Sequence, residues 1–263
     1  MTPARMGQHH LANAGVAEKI VGLIPEGNEP ILEIGPGGGV LTRPIAERFP
    51  GRRLVAVEKD RRLAAALRRH APAGVEILEG DILRVRLADL FGGTSICLVG
   101  NIPYHISGRI VDWLARQCRL VHAGVLMTQR EFARKLLPGE ADSHGGARSI
   151  LFDTLFAARP RFDVRPGSFR PPPRVASTVF SFSRREPGLD EATLAAFGDF
   201  LSACFRSRRK TLLNNLKTRY AEETLRRECS AAGIPVSARA ESLPAPTLLR
   251  LHRNLTAERG PRA

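Results

Sequence analysis

The four residues Asn101-Ile102-Pro103-Tyr104 are of types that can act together on a nucleobase amine. Such an amine is a poor nucleophile, because its lone pair is delocalised into the ring. An Asn side-chain oxygen and a backbone carbonyl can accept the two amine hydrogens and localise that pair toward an incoming methyl group. No general base is then needed. The Ile102 carbonyl is the natural second acceptor, with Pro103 fixing the backbone that presents it. Tyr104 supplies a flat face on which an extruded base can stack. Taken alone, the same tetrapeptide is also a strand-end turn with a half-buried tyrosine.

A second set of residues suits a nucleoside-bearing methyl donor. Glu33-Ile34-Gly35-Pro36-Gly37 forms a glycine turn after an apolar run, where the backbone can pass close to a ligand. A nicotinamide dinucleotide fingerprint would need a third glycine at position 40, which is Val40. Gly35 and Gly37 after an acidic Glu33 suit S-adenosylmethionine, which has no pyrophosphate. Glu58 lies 23 residues beyond Gly35 and can accept hydrogen bonds from both ribose hydroxyls. It could also simply favour the dipole of the following helix. Asp81, in Glu79-Gly80-Asp81-Ile82, can accept from an adenine amine, or be a bare turn residue.

These residues need strand ends to hold them. Apolar runs at 30–34, 53–57, 75–78, 95–100 and 122–128 read as strands, separated by helical patterns at 40–49, 60–70 and 106–119. The alternation predicts an α/β fold with a largely parallel, Rossmann-like sheet, and Gly35, Glu58, Asp81 and Asn101 then share its carboxyl edge. An amphipathic helix over Leu11–Ile24 could close over the sheet. A proline-rich loop at 171–173 leads into a strand at 175–182. Beyond Pro187-Gly188 only helices are predicted, at 190–205, 208–220, 221–232 and 245–256. The expected division is a methyltransferase domain over 1–185 and a small all-helical accessory domain over 186–263.

Composition narrows the partner. The chain has 263 residues, with 40 Lys+Arg against 26 Asp+Glu and a net charge of +14. That excess suits a polyanion, although 35 of the 40 are Arg, a bias that a GC-rich genome could also produce. Residues 1–185 carry 27 basic and 17 acidic groups and 186–263 carry 13 and 9, so the charge is spread over both parts. Phe200–Ala221 holds six basic residues and no acid, among them Arg206, Arg208, Arg209 and Lys210. Arg159–Arg174 holds five Arg, including Arg170 and Arg174, against one Asp. Both runs suit RNA phosphates, or are solvated faces. No apolar run approaches the roughly 20 residues that span a bilayer, and no signal peptide is visible. Cys97, Cys118, Cys204 and Cys229 form no C-x-x-C pair, so reduced thiols in a cytoplasmic protein without a metal site are expected.

With these motifs in place, the chain resembles the ribosomal RNA adenine N6-dimethyltransferase family (KsgA type) nearly end to end. Gly7-Gln8-His9-His10-Leu11 resembles its G-Q-[N/H]-F-L motif, and Leu32–Thr42 its methyl-donor loop. Val55–Asp60 resembles its ribose-binding strand, Gly80-Asp81-Ile82-Leu83 its adenine-ring contact, and Asn101–Ser107 its N-[L/I]-P-Y-x-I-S signature. Met127–Glu131 is similar to x-x-Q-[K/R]-E and Phe169–Ser177 to F-x-P-P-P-[K/R]-V-x-S. Phe205–Leu212 and Arg239–Leu243 resemble F-x-x-R-R-K-x-L and R-A-E-x-L.

The resemblance implies a donor site of His9, Leu11, Glu33, Gly35, Gly37, Glu58, Asp81, Ile82 and Asn101. It also implies that Phe169 covers the second face of the adenine. The implied reaction is dimethylation of two adjacent adenosines in small-subunit ribosomal RNA, within the immature subunit, with a monomer as the default state. Large-subunit RNA, modified by the related macrolide-resistance enzymes, is the alternative substrate. His10 replaces the usual Phe, and Gly145 and Arg148 replace Tyr and Leu of Y-G-x-L-S, which would loosen Gly139–Gly146. A non-catalytic RNA-binding assembly factor would need neither the glycine turn nor Asn101–Tyr104. A dinucleotide oxidoreductase is disfavoured by Val40 and by the lack of a hydride-transfer acid or base.

Overall fold

The computed structural model describes residues 9–137, 145–186 and 188–257. Gly7 and Gln8, most of Gly139–Gly146, and Pro187 of the expected boundary lie outside the described residues. Two compact units emerge, Met1–Ala133 with Ala157–Arg184, and Arg134–Phe156 with Arg185–Ala263.

In chain order the first unit begins β1 (His10–Leu11), α1 (Ala14–Val21), β2 (Ile31–Ile34), α2 (Thr42–Arg48), β3 (Leu54–Glu58) and α3 (Arg61–His70). It continues with β4 (Val75–Glu79), α4 (Leu87–Phe91), β5 (Ile96–Asn101), α5 (Ser107–Arg116), β6 (Val121–Gln129) and the start of α6 (Arg130–Leu136). After an excursion into the second unit come β7 (Phe156–Val164), β8 (Phe169–Arg170) and β9 (Ser177–Arg184). The predicted strands reappear within a residue or two at each end. β7 is an addition: Pro160 and two arginines spoil its pattern, and only its place at the end of the sheet tolerates a proline.

The seven-stranded sheet has the order β4-β3-β2-β5-β6-β9-β7. β2 to β6 pair in parallel, and β9 joins β6 antiparallel. The chain thus runs outward from β2 to β4, then crosses back to place β5 on the other side of β2. At that reversal the loops after β2 and β5 leave on opposite faces and open a crevice at the strands' carboxyl ends. Gly100 serves this approach: a Cβ there would lie 2.8 Å from the Ile34 carbonyl oxygen.

Every residue of β2 and β3 is buried, as strands covered on both faces require. Ala17, Ile20 and Val21 of α1 pack with Ile31, Leu54, Cys97 and Val99, so the N-terminal helix does cover the sheet. Asp60 caps α3 by accepting from the Arg62 and Leu63 amides, while Arg68, Arg69 and His70 suit the dipole of its last turn. Trp113 of α5 is fully buried, with its indole N–H donating to the Val85 carbonyl at 2.9 Å. β1 and β8 form a separate antiparallel pair, His10 opposite Arg170 and Leu11 opposite Phe169.

The second unit contains α7 (Ala147–Leu155), α8 (Glu191–Cys204), α9 (Leu212–Leu216), α10 (Glu222–Ala231) and α11 (Ala245–Ala257). Its core joins Phe197, Phe200, Leu201, Leu248 and Leu251 to Ile150 of α7. This corrects the expected division: Arg134–Phe156 belong with the helical unit and not with the sheet. Chain order hid this, because α7 precedes β7 and β9. The helix expected over 208–220 is reduced to α9, whose start Thr211 fixes by accepting from the Asn214 amide. Among the described residues no helix is long and apolar enough to cross a membrane, and no group of three or more His, Cys, Asp or Glu could hold a metal ion.

Candidate active site

The crevice at the β2/β5 reversal is lined by His9, His10, Gly35, Glu58, Asn101, Ile102, Pro103 and Tyr104. Residues from four sequence motifs therefore meet at one point. After β2 the chain turns at Gly35, whose amide donates to the Val57 carbonyl at 3.0 Å. Glu58, at the end of β3 and 4% exposed, accepts from the Gly37 amide through Oε2 at 3.0 Å and from the Asp60 amide through Oε1 at 2.8 Å. Two amides hold its carboxylate in place and leave each oxygen a further lone pair. Gly37 has φ of +56°, and a Cβ there would lie 2.6 Å from His10 Nδ1. The His10 imidazole lies directly against the glycine turn.

Asn101 ends β5 and donates from Nδ2 to the His9 carbonyl at 3.0 Å. The Ile102 amide donates to the Met127 carbonyl at 2.9 Å, fixing the peptide that precedes Pro103. Tyr104 shares a hydrogen bond with Ser177 Oγ at 2.7 Å, and its ring lies 5.6 Å from that of His9. Burial raises the Tyr104 phenol above its ordinary value, although the Ser177 bond opposes this, so the group stays a neutral ring. The His9 ring in turn bonds the Pro171 carbonyl through Nδ1 at 2.9 Å. Asn101 and Tyr104 are thus each fixed from a distant part of the chain.

Other expected site residues do not line the crevice. Leu11 and Ile82 are buried at 5% exposure each. Asp81 accepts from Lys59 Nζ at 2.9 Å and from the Leu83 amide at 3.1 Å. Partial burial alone would raise its carboxyl, but Lys59, the Leu83 amide and Arg109 outweigh that and hold it below its ordinary value.

Two further expected site residues are buried outside the crevice lining. Glu33 is 1% exposed and does not line the crevice; its Oε2 accepts from Thr42 Oγ1 at 2.7 Å. Burial pushes its carboxyl up to about 8, against the Thr42 bond and with the help of the negative Glu58. Phe169 is 0% exposed and packs in the core with Leu11 and Val179, so in this conformation it covers no base. Neither Thr42 nor Ser177 was singled out from sequence, although both lie inside quoted motifs.

Of the expected phosphate contacts, Arg174, Arg206, Arg209 and Lys210 are exposed. Arg170 folds back onto the Gly167 and Phe169 carbonyls, and Arg208 Nη2 bonds the Gly145 carbonyl at 3.0 Å.

The comparison with known proteins now carries weight, because the site geometry stands independently of it. A family model described as ribosomal RNA adenine dimethylase matches residues 3–256. The chain belongs to that family. A relative from Methylococcus capsulatus, described as ribosomal RNA small subunit methyltransferase A, is 36% identical over 95% of this chain and 96% of its own length. One from Acidobacterium capsulatum with the same description is 34% identical over 95% and 90%. Among solved structures, the 23S rRNA methyltransferase ErmE superposes with a TM-score of 0.72 at 27% identity, covering 94% of this chain and 99% of that one. A dimethyladenosine transferase from Plasmodium falciparum gives a TM-score of 0.75 at 24% identity over 95% and 98%, a likeness of fold. As a member of the dimethylase family, the chain is a ribosomal RNA adenine methyltransferase on a Rossmann-like sheet, and its crevice lies where that sheet reverses.

Proposed function

We propose that this chain carries methyl groups from S-adenosylmethionine to N6 of two adjacent adenosines in the 3′-terminal hairpin loop of 16S ribosomal RNA. It would act as a cytoplasmic monomer on the immature small subunit. The observation that carries the reading is the orientation of Asn101. With Nδ2 committed to the His9 carbonyl, Oδ1 is the atom left to accept an N6 hydrogen. The Ile102 carbonyl takes the second hydrogen, and Tyr104 stacks on the base. Localising the lone pair in this way supplies the activation without a proton acceptor in the ground state.

The crevice residues fit the donor chemically. Glu58 is a pinned, buried carboxylate suited to ribose hydroxyls, Gly35 and Gly37 leave the turn without side chains, and Asp81, two residues after β4, is held as an anion for the adenine edge. S-adenosylmethionine supplies the electrophilic methyl group. The crevice measures about 50 Å³ with His10 against Gly37, too small for a nucleoside. The His10 imidazole therefore turns away from Gly37 on donor binding, while the His9 carbonyl keeps its hold on Asn101 Nδ2. Identity of 34–36% to small-subunit enzymes against 27% to the 23S enzyme supports the small-subunit target.

The test incubates purified protein with labelled donor and immature small subunits, followed by nucleoside analysis of the digested RNA. N6-dimethyladenosine at two adjacent positions is expected. Label appearing only in large-subunit RNA would move the assignment to the alternative substrate, and no label in either would refute it.

A further inference from the structure

A second cavity, of about 420 Å³, is lined entirely by residues of the helical unit. It is lined by Asp199, Ser202 and Ala203 of α8, by Arg206 just after it, and by Thr218 and Arg219 just after α9. The lining carries two guanidinium groups against one carboxylate, so it keeps a net positive charge. Arg219 is anchored, its Nη1 donating to the Asp199 carbonyl oxygen at 2.8 Å, so its charge cannot move away. Among the described residues, no hydrogen-bond or ion-pair partner holds the Arg206 guanidinium. The chain from Phe200 to Ala221 that surrounds the cavity contains six basic residues and no acid. An anion is the complementary ligand, and guanidinium forks match phosphate oxygens in pairs.

The Asp199 carboxylate is the exception on this wall. Beside a bare phosphate it would be repulsive. Beside a ribose it is an acceptor for a hydroxyl hydrogen, with the Thr218 hydroxyl as a further partner. A cavity of this size exceeds one phosphate and matches a phosphate with its sugar. We infer that this cavity holds one phosphate–ribose unit of the RNA substrate, with Arg206 and Arg219 on the phosphate and Asp199 on the 2′-hydroxyl. The contact then does more than add electrostatic attraction, because a 2′-hydroxyl distinguishes RNA from DNA. The inference rests on the reading of the chain as an RNA enzyme, whose activity the test scores separately.

The full-length protein is titrated at several salt concentrations with a transcript of the ribosomal hairpin, and with a DNA of the same sequence. Arg206→Gln, an exposed substitution with no protein contact to lose, should weaken RNA binding about tenfold and lower the salt slope by about one. Arg226→Gln, which removes an equal charge outside the cavity, should change neither. Asp199→Ala, which removes the acceptor, should shrink the preference for RNA over DNA and leave S-adenosylmethionine affinity unchanged. Equal RNA affinity and slope for Arg206→Gln and Arg226→Gln would overturn the phosphate contact. An unaltered RNA-to-DNA ratio in Asp199→Ala would overturn the ribose contact. Methylation by the wild type is measured in parallel: wild-type activity with an unresponsive Arg206→Gln refutes the cavity alone. Absent activity with a responsive Arg206→Gln refutes the enzymatic reading alone.

Discussion

The Asn101 side-chain amide is clamped by the backbone carbonyl of His9, 3.0 Å from Nδ2 and 92 residues away in the chain. The clamp decides which end of the amide faces the crevice. Replacing Asn101 with Asp keeps an oxygen in place of Oδ1 but sets a carboxylate oxygen against the His9 carbonyl, where nothing can donate. Turnover of Asn101→Asp should therefore fall on the order of 10²-fold, while donor affinity measured by calorimetry stays within about threefold. Turnover close to wild type would mean that the amide's orientation does not matter.

Tyr104 is held by Ser177, which is fully buried at the start of β9. Tyr104→Phe keeps the ring and loses the bond, and Ser177→Ala loses the same bond from the other side. Each should lower kcat/KM about fivefold, the worth of one hydrogen bond. The double substitution should be no worse than either alone, since a single shared interaction is removed. Tyr104→Ala removes the stacking surface and should cost far more. Additive losses in the double variant would show that Ser177 acts elsewhere.

Gly37 combines a left-handed backbone, φ +56°, with a missing side chain that His10 Nδ1 would contact at 2.6 Å. Gly37→Ala should cost about 1–2 kcal/mol of stability from the backbone alone. It also shifts the amide that pins Glu58, so the donor Kd should rise. Adding His10→Ala removes the clash but not the backbone strain, and should recover only part of the stability, as read from chemical denaturation.

Two buried groups give the units opposite pH dependences. The Glu33 carboxyl lies at about 8 in the fold against an ordinary 4.5, so the native state keeps a proton that the unfolded chain releases between these values. Its stabilising contribution is complete below pH 4.5 and is lost as pH rises to about 8. Glu33→Gln should therefore gain stability relative to wild type across that range. His252 of α11 lies between Phe197 and Phe200 with Nδ1 buried and unpartnered among the described residues; burial, aided by Arg253, lowers its pKa below 6.5. The unfolded chain then binds the proton first, and stability falls as pH drops below about 6.5. His252→Phe should flatten that acid limb, measured by denaturation between pH 5 and 7.

The strands that end at Ile34, Glu58, Glu79 and Asn101 were legible because a short, mostly apolar run between glycine- and acid-bearing turns has few other uses. The same locality made Gly35 and Asn101 readable as neighbours, since parallel strands joined by helices put their carboxyl ends on one edge. The burial of Phe169 and Glu33 was not legible, because a motif names a residue and only packing decides where its side chain lies. β7 was missed because the sheet's end position, which excuses its proline, exists only once the sheet has formed.

The sequence by itself determined the doubly wound sheet, the acceptor set at Asn101–Tyr104, the glycine turn and the excess of positive charge. Each is written in a short stretch of chain whose local pattern admits few conformations. Only the tertiary structure decided that His9 orients Asn101 and that Ser177, 73 residues away, holds Tyr104. It alone placed α7 with the helical unit and gathered Asp199, Arg206 and Arg219 around one cavity. Contacts between residues this far apart depend on how all the intervening elements pack, and no local pattern encodes that.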